Sequence, residues 1–455
     1  MVNKIVEVIK AVQDNVGLVK YPTVIVGSAI ALNKLRKWNK ERKSVLKTAP
    51  HKKASGVLFG KKKGKIVYSP SDAEGHIAVF GGSGLGKTSA ILIPTLQSWT
   101  GTSFVVDISG DICKNIDDPD KLVYEPTNVH SLPYNLFGAI DALKTETERT
   151  QALEELAFLL MPEKQQMNDT SLFFLTEGRK ILTSALIAFY AQGMDFIDIC
   201  EKIVTSNWKV LFNEIDNTGN AKASAYLTSF EGNNEMTNAG CKQAVDTPLK
   251  LFALNDIVKK TIRRPGKNEC SISPQALEKQ SIYVIIEDSK LALYAPLLHI
   301  ITAQTLTFFS ERDIENENTI LLALDEFASL GKLEISDSLR KLRKKHIRIM
   351  MLTQSMADID LIYGKEERAA MMNNFNYKVV LGASDTETQE YFAKLIGYDY
   401  LPKKSISRSG KNVTRTESDT KDFIIEPSHL AHLKDNLILL HPDGYSQLKK
   451  NFYYE

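Results

Sequence analysis

One run of residues constrains this chain more than any other, because its spacing fixes a backbone conformation and a class of ligand. Two glycines are separated by four residues and followed by lysine and threonine, which is the pattern of a phosphate-binding loop. Glycines let the backbone curl until successive N–H groups point inward at phosphate oxygens. The run and the residue after it are Gly81, Gly82, Ser83, Gly84, Leu85, Gly86, Lys87, Thr88 and Ser89.

The sequence on both sides of this loop favours the same interpretation. Residues 76–80 have the pattern of a short buried strand, and residues 88–99 have the pattern of a helix. The N-terminal end of that helix then faces the phosphates. Lys87 is expected to bridge the β- and γ-phosphates, and the Thr88 hydroxyl to hold Mg²⁺. A glycine-rich turn that matches by chance is the alternative. Because a strand and a helix flank the loop, we predict a site for ATP with Mg²⁺.

Size and cysteine content indicate a globular protein of a reducing compartment. The 455 residues allow two or three domains, and 43% apolar and 25% charged residues are ordinary values. The four cysteines are scattered, without the spacing of a zinc site or a disulfide framework: Cys113, Cys200, Cys241 and Cys270. This usage predicts a cytoplasmic location.

The N-terminal segment, residues 1–65, is predicted to be amphipathic and basic. Residues 2–16 have apolar side chains at helical spacing, and residues 15–33 carry one charge, Lys20. The apolar part is shorter than the roughly 20 residues that span hydrocarbon, so we expect an interfacial helix pair, with a true span as the alternative. Residues 34–65 hold thirteen Lys and Arg against a single acid. Such a run contacts nucleic acid or the inner face of the cell membrane, or it is a solvated linker.

Strand and helix patterns predict an α/β fold with a mostly parallel sheet, split by an inserted all-α domain. Apolar strand patterns that alternate with helices favour a parallel sheet covered on both faces. These strand patterns lie at 102–108, 122–124, 281–287, 320–324, 347–352 and 377–381. Between the second and third of them the pattern is helical, most clearly at 148–160 and 171–192. We predict nucleotide-binding parts at 66–144 and 275–455 and an all-α domain at 145–274.

Two local features are predicted after the last of these strands. Ser384 with Glu387 has the spacing of a capping box that starts a helix, and Gly397 ends that helix. Residues 403–421 are basic, rich in Ser and Thr and without periodicity. This composition predicts a mobile loop.

A pair of acids predicts hydrolysis in addition to binding. Asp325 and Glu326 directly follow the apolar residues 321–324. At a strand end beside a phosphate loop, Asp325 is expected to complete the Mg²⁺ shell and Glu326 to polarise an attacking water. The alternative is a surface pair that caps a turn. Gln354 ends the next strand, where its amide either takes part in catalysis by reporting the nucleotide state or is an ordinary strand-end amide.

A basic run lies between these motifs, at Arg340, Lys341, Arg343, Lys344, Lys345 and Arg348. One arginine is expected to reach the site of an adjacent subunit as a finger that stabilises charge in the transition state, and Arg343 is the candidate. Others of the run are expected to face DNA phosphates. The alternative is a solvated helix face, since most charge runs are solvated.

Taken together, these motifs resemble the TraG/TraD-like coupling proteins of type IV secretion, the conjugative DNA-transfer ATPases of the FtsK/HerA branch of RecA-like motors. The run of residues 325–332 resembles the family's second nucleotide motif. Further matching groups follow in the family's order: Thr353-Gln354-Ser355, Tyr363-Gly364, Asn373-Asn374, Leu381-Gly382 and Asp385-Thr386-Glu387-Thr388, with Pro133-Tyr134-Asn135 and Glu426-Pro427. The resemblance covers about residues 55–455, and the helical insertion lies where the family has its all-α domain.

The resemblance implies a RecA-like ATPase that forms a ring, expected to be a homo-hexamer. It implies a relaxase–DNA complex, with single-stranded DNA, or a protein as the substrate, recognised through the helical domain and passed to secretion-channel proteins. The residues themselves do not decide between single- and double-stranded DNA. The family's two N-terminal membrane helices have at most one poor counterpart, so we expect a soluble variant or one that a partner recruits to the membrane. Two other functions stay open: a nucleotide-gated recruitment adaptor, and a double-stranded DNA translocase without a secretion partner.

Overall fold

The computed structural model describes residues 44–163, 167–333, 335–409 and 412–455, and of residues 400–420 only the backbone. The chain divides into residues 1–47 and residues 48–455, and the second part forms one compact unit. The predicted amphipathic stretch 2–16 and apolar stretch 15–33 lie outside the described residues, as does the basic run up to residue 43.

The described residues form twelve strands of one sheet and two strands of a separate hairpin. The strands are β1 (Lys47–Ala49), β2 (Val57–Lys62), β3 (Lys65–Ser69), β4 (His76–Phe80), β5 (Thr102–Asp107), β6 (Leu122–Tyr124), β7 (Ile282–Ile285), β8 (Ile320–Leu324), β9 (Ile347–Thr353), β10 (Phe375–Val380), β11 (Tyr398–Ser409), β12 (Asn412–Phe423), β13 (Asn436–His441) and β14 (Gly444–Lys449). The order across the sheet is β1-β3-β2-β14-β13-β10-β4-β9-β8-β5-β7-β6.

The centre of the sheet is parallel, which confirms the predicted fold class. Every neighbouring pair from β10 to β6 is parallel. In β4, β8 and β9 every residue is buried. Strands that are buried along their whole length are found where both faces of the sheet are covered. The carboxyl ends of these strands therefore lie along one edge, where ligands of such sheets bind.

An antiparallel extension was not predicted. β13, β14, β2 and β3 continue the sheet beyond β10 in antiparallel pairs. Lys63 and Gly64 join β2 to β3 with φ of 51° and 74°, the two positive values that a tight hairpin turn requires. The lysines of this hairpin concealed its two short apolar runs in the sequence. The predicted boundary between residues 65 and 66 therefore falls inside a hairpin, and β2 belongs to the sheet.

The described residues form fourteen α-helices, besides short 3-10 turns. They are α1 (Ile93–Ser98), α2 (Asp111–Lys114), α3 (Gly138–Asp141), α4 (Glu146–Leu160), α5 (Asp169–Ala191), α6 (Phe196–Thr205), α7 (Trp208–Asn217), α8 (Ala221–Leu227), α9 (Glu235–Leu254), α10 (Asp256–Thr261), α11 (Leu291–Ser310), α12 (Ile335–Leu342), α13 (Met356–Asn373) and α14 (Thr386–Ile396). A π-helical segment, Lys87–Leu92, precedes α1 without a break.

The stretch between β6 and β7 is helical where it is described, from α3 to α10. α4 begins at a capping box, in which Thr145 and Glu148 exchange side-chain and backbone hydrogen bonds of 2.9 and 3.2 Å. The Asn168 side chain caps α5 by accepting from Ser171 N at 2.8 Å. The helices predicted at 148–160 and 171–192 are α4 and α5. The all-α domain boundaries at 145 and 274 stay a prediction.

One helical segment of the described chain, Asp288–Ser310, is long and apolar enough to cross a membrane by length and composition. It contains α11, and 56% of its most apolar window is buried inside the protein. Leu297, Leu298 and Ile301 of this helix have no exposed surface. A buried core helix needs the same composition as a membrane helix, so the packing of α11 accounts for its apolar sequence.

The prediction of a mobile loop at 403–421 is wrong. β11 and β12 pair in antiparallel register from Tyr398 opposite Phe423 to Ser409 opposite Asn412. The rings of Tyr398 and Phe423 stack at the base of this hairpin, with centroids 4.7 Å apart. Polar segments rich in threonine have ample β propensity, and the two strands satisfy each other's backbone groups without a hydrophobic period.

The predicted cap of α14 is one residue too early. The N-cap is Asp385, whose Oδ1 accepts from Thr388 N at 2.8 Å. The Glu387 carboxylate pairs instead with Arg368 at 3.2 Å. A carboxylate caps the first turn as well as a Ser hydroxyl does, so the motif contained two candidates. Gly397 ends the helix with φ of 112°, as predicted.

His76, the first residue of β4, is a buried neutral histidine. Its Nδ1 accepts from Ile349 N at 2.9 Å, and its Nε2 lies 2.7 Å from Leu339 O. With Nδ1 accepting, Nε2 carries the proton and donates. Burial is the main cause that lowers the pKa of His76 from 6.5 to about 4; the hydrogen bond to Leu339 O opposes the change, and the nearby Arg348 and Arg343 contribute to it.

We expect His76 to make the stability of the protein depend on pH. Because the pKa of His76 is lowered in the folded state, its contribution is complete above 6.5 and is lost as the pH falls towards 4. Between pH 7 and pH 5 the free energy of unfolding should fall by about 2 kcal/mol through this residue. Urea unfolding of the wild type and of His76→Gln measures the effect, with the exposed His130→Gln as control. Equal pH dependence of wild type and His76→Gln would contradict it.

Candidate nucleotide-binding site

Loop 81–88 leads from β4 into the helix that starts at Lys87. Gly84 and Gly86 have φ of 74° and 100°, a region that residues with a Cβ avoid. Ala90 N donates to Gly86 O at 2.8 Å, so the helix starts directly after the second of these glycines. The N–H groups of a first helical turn have no acceptor within the helix and suit an anion.

The loop lies on the Leu381-Gly382 pair at the end of β10. Leu381 N donates to Phe80 O at 2.8 Å. A Cβ on Gly382 would lie 2.7 Å from Leu85 Cδ1, and a Cβ on Gly81 would lie 3.1 Å from Leu381 Cβ. Both glycines therefore permit a close approach of two chain segments. This packing gives a physical reason for the Leu381-Gly382 motif, whose role sequence reasoning had left open.

Lys87 is almost completely buried, with 9% of its surface exposed. Its Nζ donates to Gly81 O at 2.8 Å. The ammonium therefore lies within the curve of the loop, which is where the pattern places it for phosphate binding.

Asp325 follows β8 and lies beside the loop. Thr88 Oγ1 donates to Asp325 Oδ2 at 3.5 Å. Asp325 is 8% exposed, and the pKa of its carboxyl is raised from 3.8 to about 6, mainly by burial. This value includes an opposing effect of Lys87 and smaller contributions from Glu326 and Asp107 that raise the pKa. A carboxylate held in a buried, acid-rich position is poised to gain a cation.

Glu326 and Gln354 contact each other. Gln354 Nε2 donates to Glu326 Oε1 at 3.0 Å. The contact arises from the strand order, because β9 lies between β4 and β8 and brings Gln354 between the loop and the acid pair. Glu326 has φ of 49° and ψ of 52°, a left-handed conformation that a residue with a side chain adopts at a cost of about 1–3 kcal/mol. Such strain is typical of functional sites.

The chain after Glu326 is held by Tyr363, another residue of the matching motifs. The Tyr363 ring stacks on Phe327 at 5.6 Å with an interplanar angle of 5°. Its hydroxyl accepts from Leu333 N at 3.0 Å. α13 has a kink at the next residue, Gly364, with φ of 75°. The Tyr363-Gly364 pair therefore positions the segment that carries the acid pair.

The motif around Gln354 is tied to the motif at the start of α14. The Ser355 hydroxyl caps α13 by accepting from Asp358 N at 3.2 Å. Met356 N donates to the buried Thr388 Oγ1 at 2.9 Å. Gln354 is thus followed by a capped helix start that is fixed to α14, which holds its backbone beside the acid pair.

Asp107, the last residue of β5, was not predicted as a site residue. Val106 pairs with Leu324, so Asp107 is the neighbour of Asp325 across the strands. Its carboxylate accepts from Gly110 N and Cys113 N, each at 2.8 Å. These bonds organise the start of α2. The sequence signal that could have identified Asp107 is its position at the end of an apolar strand, like that of Asp325.

The basic run does not act as one surface. Arg348 is 3% exposed and donates to Gly75 O and Pro70 O at 3.0 Å, so it does not face DNA. Arg343 is exposed, and its Nε lies 3.1 Å from Glu74 Oε2. Arg343 and Glu74 precede the parallel strands β9 and β4, so they lie at the amino edge of the sheet, opposite the loop. A finger role of Arg343 stays a prediction, and this position permits it only towards another subunit.

The site thus brings together five of the predicted residues, Lys87, Thr88, Asp325, Glu326 and Gln354, and leaves Arg343 apart. Their catalytic and binding roles stay predictions. The phosphate loop after β4, the acid pair after β8 and the intervening β9 define a RecA-like P-loop nucleotide-binding protein. Within that class the chain belongs to the family described as Type IV secretory system Conjugative DNA transfer, whose profile matches residues 28–455. The resemblance inferred from the motifs is confirmed.

Curated relatives agree with this assignment. The chain is 22% identical to protein VirD4 of Agrobacterium fabrum over 421 residues. The matched region covers 88% of this chain and 62% of that protein. It is 21% identical over 428 residues to conjugal transfer protein TraG of Escherichia coli, and this match covers 84% of this chain and 66% of that protein. The chain spans about three fifths of the length of the VirD4 proteins that it matches.

Solved structures have the same fold. The chain is similar to the bacterial conjugative coupling protein TrwBdeltaN70 with a TM-score of 0.69 and 19% identity, covering 88% of this chain and 89% of that one. The TM-score is also 0.69 for plasmid coupling protein TrwB in complex with the ATP analogue ADPNP, at 19% identity and with 88% and 90% covered. At these identities the likeness shows the fold alone, and it confirms the RecA-like prediction.

Proposed function

We propose that this protein is an ATP-hydrolysing coupling protein, which recruits a relaxase–DNA or protein substrate and drives it into a type IV secretion channel. The observation that carries the proposal is the convergence of Lys87, Thr88, Asp325 and Glu326 at one edge of the sheet, in a chain of the conjugative DNA transfer family. Binding alone does not need Glu326, whereas hydrolysis needs a group that activates water.

The residues present fit a triphosphate with Mg²⁺. Gly84 and Gly86 open the backbone cradle, and Lys87 supplies the cation inside it. The Thr88 hydroxyl and the Asp325 carboxylate are the hard oxygen ligands that Mg²⁺ prefers. When bound, Mg²⁺ neutralises charge on the phosphates. That plasmid coupling protein TrwB has been solved with ADP and Mg²⁺ supports the same ligand here.

The proposed chemistry assigns one task to each remaining residue. The Glu326 carboxylate orients a water and takes its proton as that water attacks the γ-phosphate. The Gln354 amide holds this carboxylate through the 3.0 Å bond and changes partner with the nucleotide state. Tyr363 keeps the segment that carries Glu326 in place.

The proposed partners follow from the family. They are DNA, a relaxase and secretion-channel proteins, with the all-α domain 145–274 recognising the substrate. The working form is a homo-hexameric ring at the cell envelope, on the cytoplasmic side and in peripheral contact with the inner face of the membrane. The basic segment up to residue 65 supplies charge for that contact.

The function is tested by measuring ATP turnover of the full chain against DNA concentration at low and high salt. We expect turnover to rise with DNA and the rise to weaken with salt, because phosphate contacts release counterions. Parallel titrations with single- and double-stranded DNA separate a relaxase-type substrate from the double-stranded translocase. Turnover that stays flat with both kinds of DNA at low salt would contradict a DNA motor.

A nucleotide-gated adaptor is the second candidate, and one observation favours it. The Gln354 amide donates a hydrogen bond to one oxygen of the Glu326 carboxylate, which hydrolysis needs to activate water. If this bond persists with nucleotide bound, the site binds without efficient turnover. If a hydrolysis-deficient variant still transfers substrate, the adaptor function is supported and the motor function is not.

Replacing Arg343 by alanine is expected to lower ATP turnover of the assembled ring about 10³-fold while leaving nucleotide affinity unchanged, because a finger acts on the transition state in the neighbouring site. Arg340→Ala is the matched control, since Arg340 is exposed and lies one helical turn earlier. Mixing Arg343→Ala with Lys87→Ala protein should restore some turnover, because each variant supplies what the other lacks. If Arg343→Ala and Arg340→Ala have equal ATP turnover, Arg343 does not act as a finger.

A further inference from the structure

The segment that follows β14 packs directly on the phosphate loop. Tyr453 N donates a hydrogen bond of 3.1 Å to the backbone oxygen of Ser89, which directly follows Thr88. A Cβ on Gly86 would lie 3.1 Å from Phe452 Cε1, so the Phe452 ring lies against the loop backbone. Residues 451–454 therefore lie beside the start of the helix that carries Thr88 and Ser89.

This segment presents an aromatic face. The rings of Phe452 and Tyr454 stack with centroids 5.3 Å apart and an interplanar angle of 17°. Tyr454 is 67% exposed, so much of its ring is uncovered. The segment therefore offers an uncovered aromatic surface beside the phosphate loop, which a planar ligand can stack on.

We propose that residues 451–454 form the nucleobase subsite of the phosphate loop, with Tyr454 stacking on the base of the bound nucleotide. The inference rests on the proposed function, since it needs a nucleotide on loop 81–88. The loop N–H groups hold the α- and β-phosphates. Ribose and base extend from the α-phosphate, beside the helix start that residues 451–454 border. Every base has a π face, so the exposed Tyr454 ring can stack on the base of the nucleotide.

A purely structural clasp is the competing explanation. Lys61 and Glu455 form an ion pair of 3.0 Å, and the Tyr453 backbone bond to Ser89 also fastens the segment. These contacts explain why the segment lies on the helix. They do not explain why the Tyr454 ring, stacked on Phe452, is left exposed, because a clasp is stabilised by burying its apolar surface.

The test compares a nucleotide with a probe that has no base. We expect Tyr454→Ala to weaken ATP binding to the full chain about tenfold, the scale of one lost base–aromatic stack, and to leave Mg²⁺-tripolyphosphate binding unchanged. Tyr454→Phe should retain ATP affinity, because the phenyl ring still stacks. Tyr445→Ala is the matched control, since Tyr445 lies on β14 and is also exposed. Calorimetric titration measures both ligands.

The outcomes separate this inference from the proposed function. If Tyr454→Ala binds ATP as tightly as Tyr445→Ala does, the subsite is wrong while the phosphate loop stands. If Tyr454→Ala weakens tripolyphosphate as much as ATP, the segment is a clasp that shapes the loop. If the wild type binds neither probe, or if Lys87→Ala weakens neither, the nucleotide function itself fails.

Discussion

Replacing Lys87 by alanine is expected to lower ATP turnover at least about a thousandfold and to weaken nucleotide binding, because the ammonium is the positive charge inside the loop. Its Nζ lies 2.8 Å from Gly81 O and the side chain is 9% exposed, so the charge is held where phosphate oxygens are expected. Removing it leaves the loop N–H groups as the remaining donors for the phosphates. Phosphate release from ATP and titration with ADP measure the two effects.

Folding must be separated from chemistry in this experiment, since Lys87 is buried. Lys114→Ala is the matched control, because Lys114 is 75% exposed at its side chain. Lys87→Arg keeps a charge but not the ammonium geometry, and we expect it to be nearly as inactive while its unfolding midpoint stays near that of the wild type. A Lys87→Ala protein with wild-type turnover would overturn the assignment of loop 81–88 as the nucleotide site.

Replacing Glu326 by glutamine is expected to lower ATP turnover about 10³-fold while nucleotide affinity changes less than about twofold. The amide keeps the shape of the side chain and its contact with Gln354, but it cannot accept the proton of an attacking water. Turnover and equilibrium titration with ADP or ADPNP give the two numbers. Substrate transfer from cells that carry the variant gives a third.

Glu366→Gln is the control, since Glu366 lies exposed on α13, away from the acid pair. Loss of both turnover and transfer in Glu326→Gln supports a motor. Loss of turnover with transfer intact supports the nucleotide-gated adaptor. Normal turnover would show that another group activates the water, and Asp325 and Asp107 are the next carboxylates to replace, since they lie beside Glu326.

The sequence predicted the central sheet because its strands are buried on both faces. Such strands are mostly apolar runs, and β4, β8 and β9 stand out in the sequence for that reason. The antiparallel strands β2 and β3 were missed because each has only a short apolar run beside lysines. β11 and β12 were missed for a different reason, since their pairing depends on backbone bonds between the strands and not on an apolar pattern.

The site was predicted where a residue type has a local spacing. Lys87, Thr88, Asp325 and Glu326 belong to short motifs at strand ends, and the parallel order of β4, β9 and β8 then brings them together. Asp107 and Tyr363 act through contacts with residues far away in sequence, which spacing does not reveal. The position of Arg343 at the amino edge likewise required the three-dimensional order of β4 and β9.

The helical insertion leaves the sheet after β6 and returns at β7, and three strands, β9, β8 and β5, separate β7 from the loop-bearing β4. The chain therefore leaves and re-enters at the margin of the sheet, separated by three strands from the strand that leads into the loop with Lys87 and Thr88. The outer surface of the insertion can change in sequence without altering the contacts of these residues. If the insertion recognises the substrate, as we propose, related chains can differ in the substrate that they select and keep the same nucleotide site.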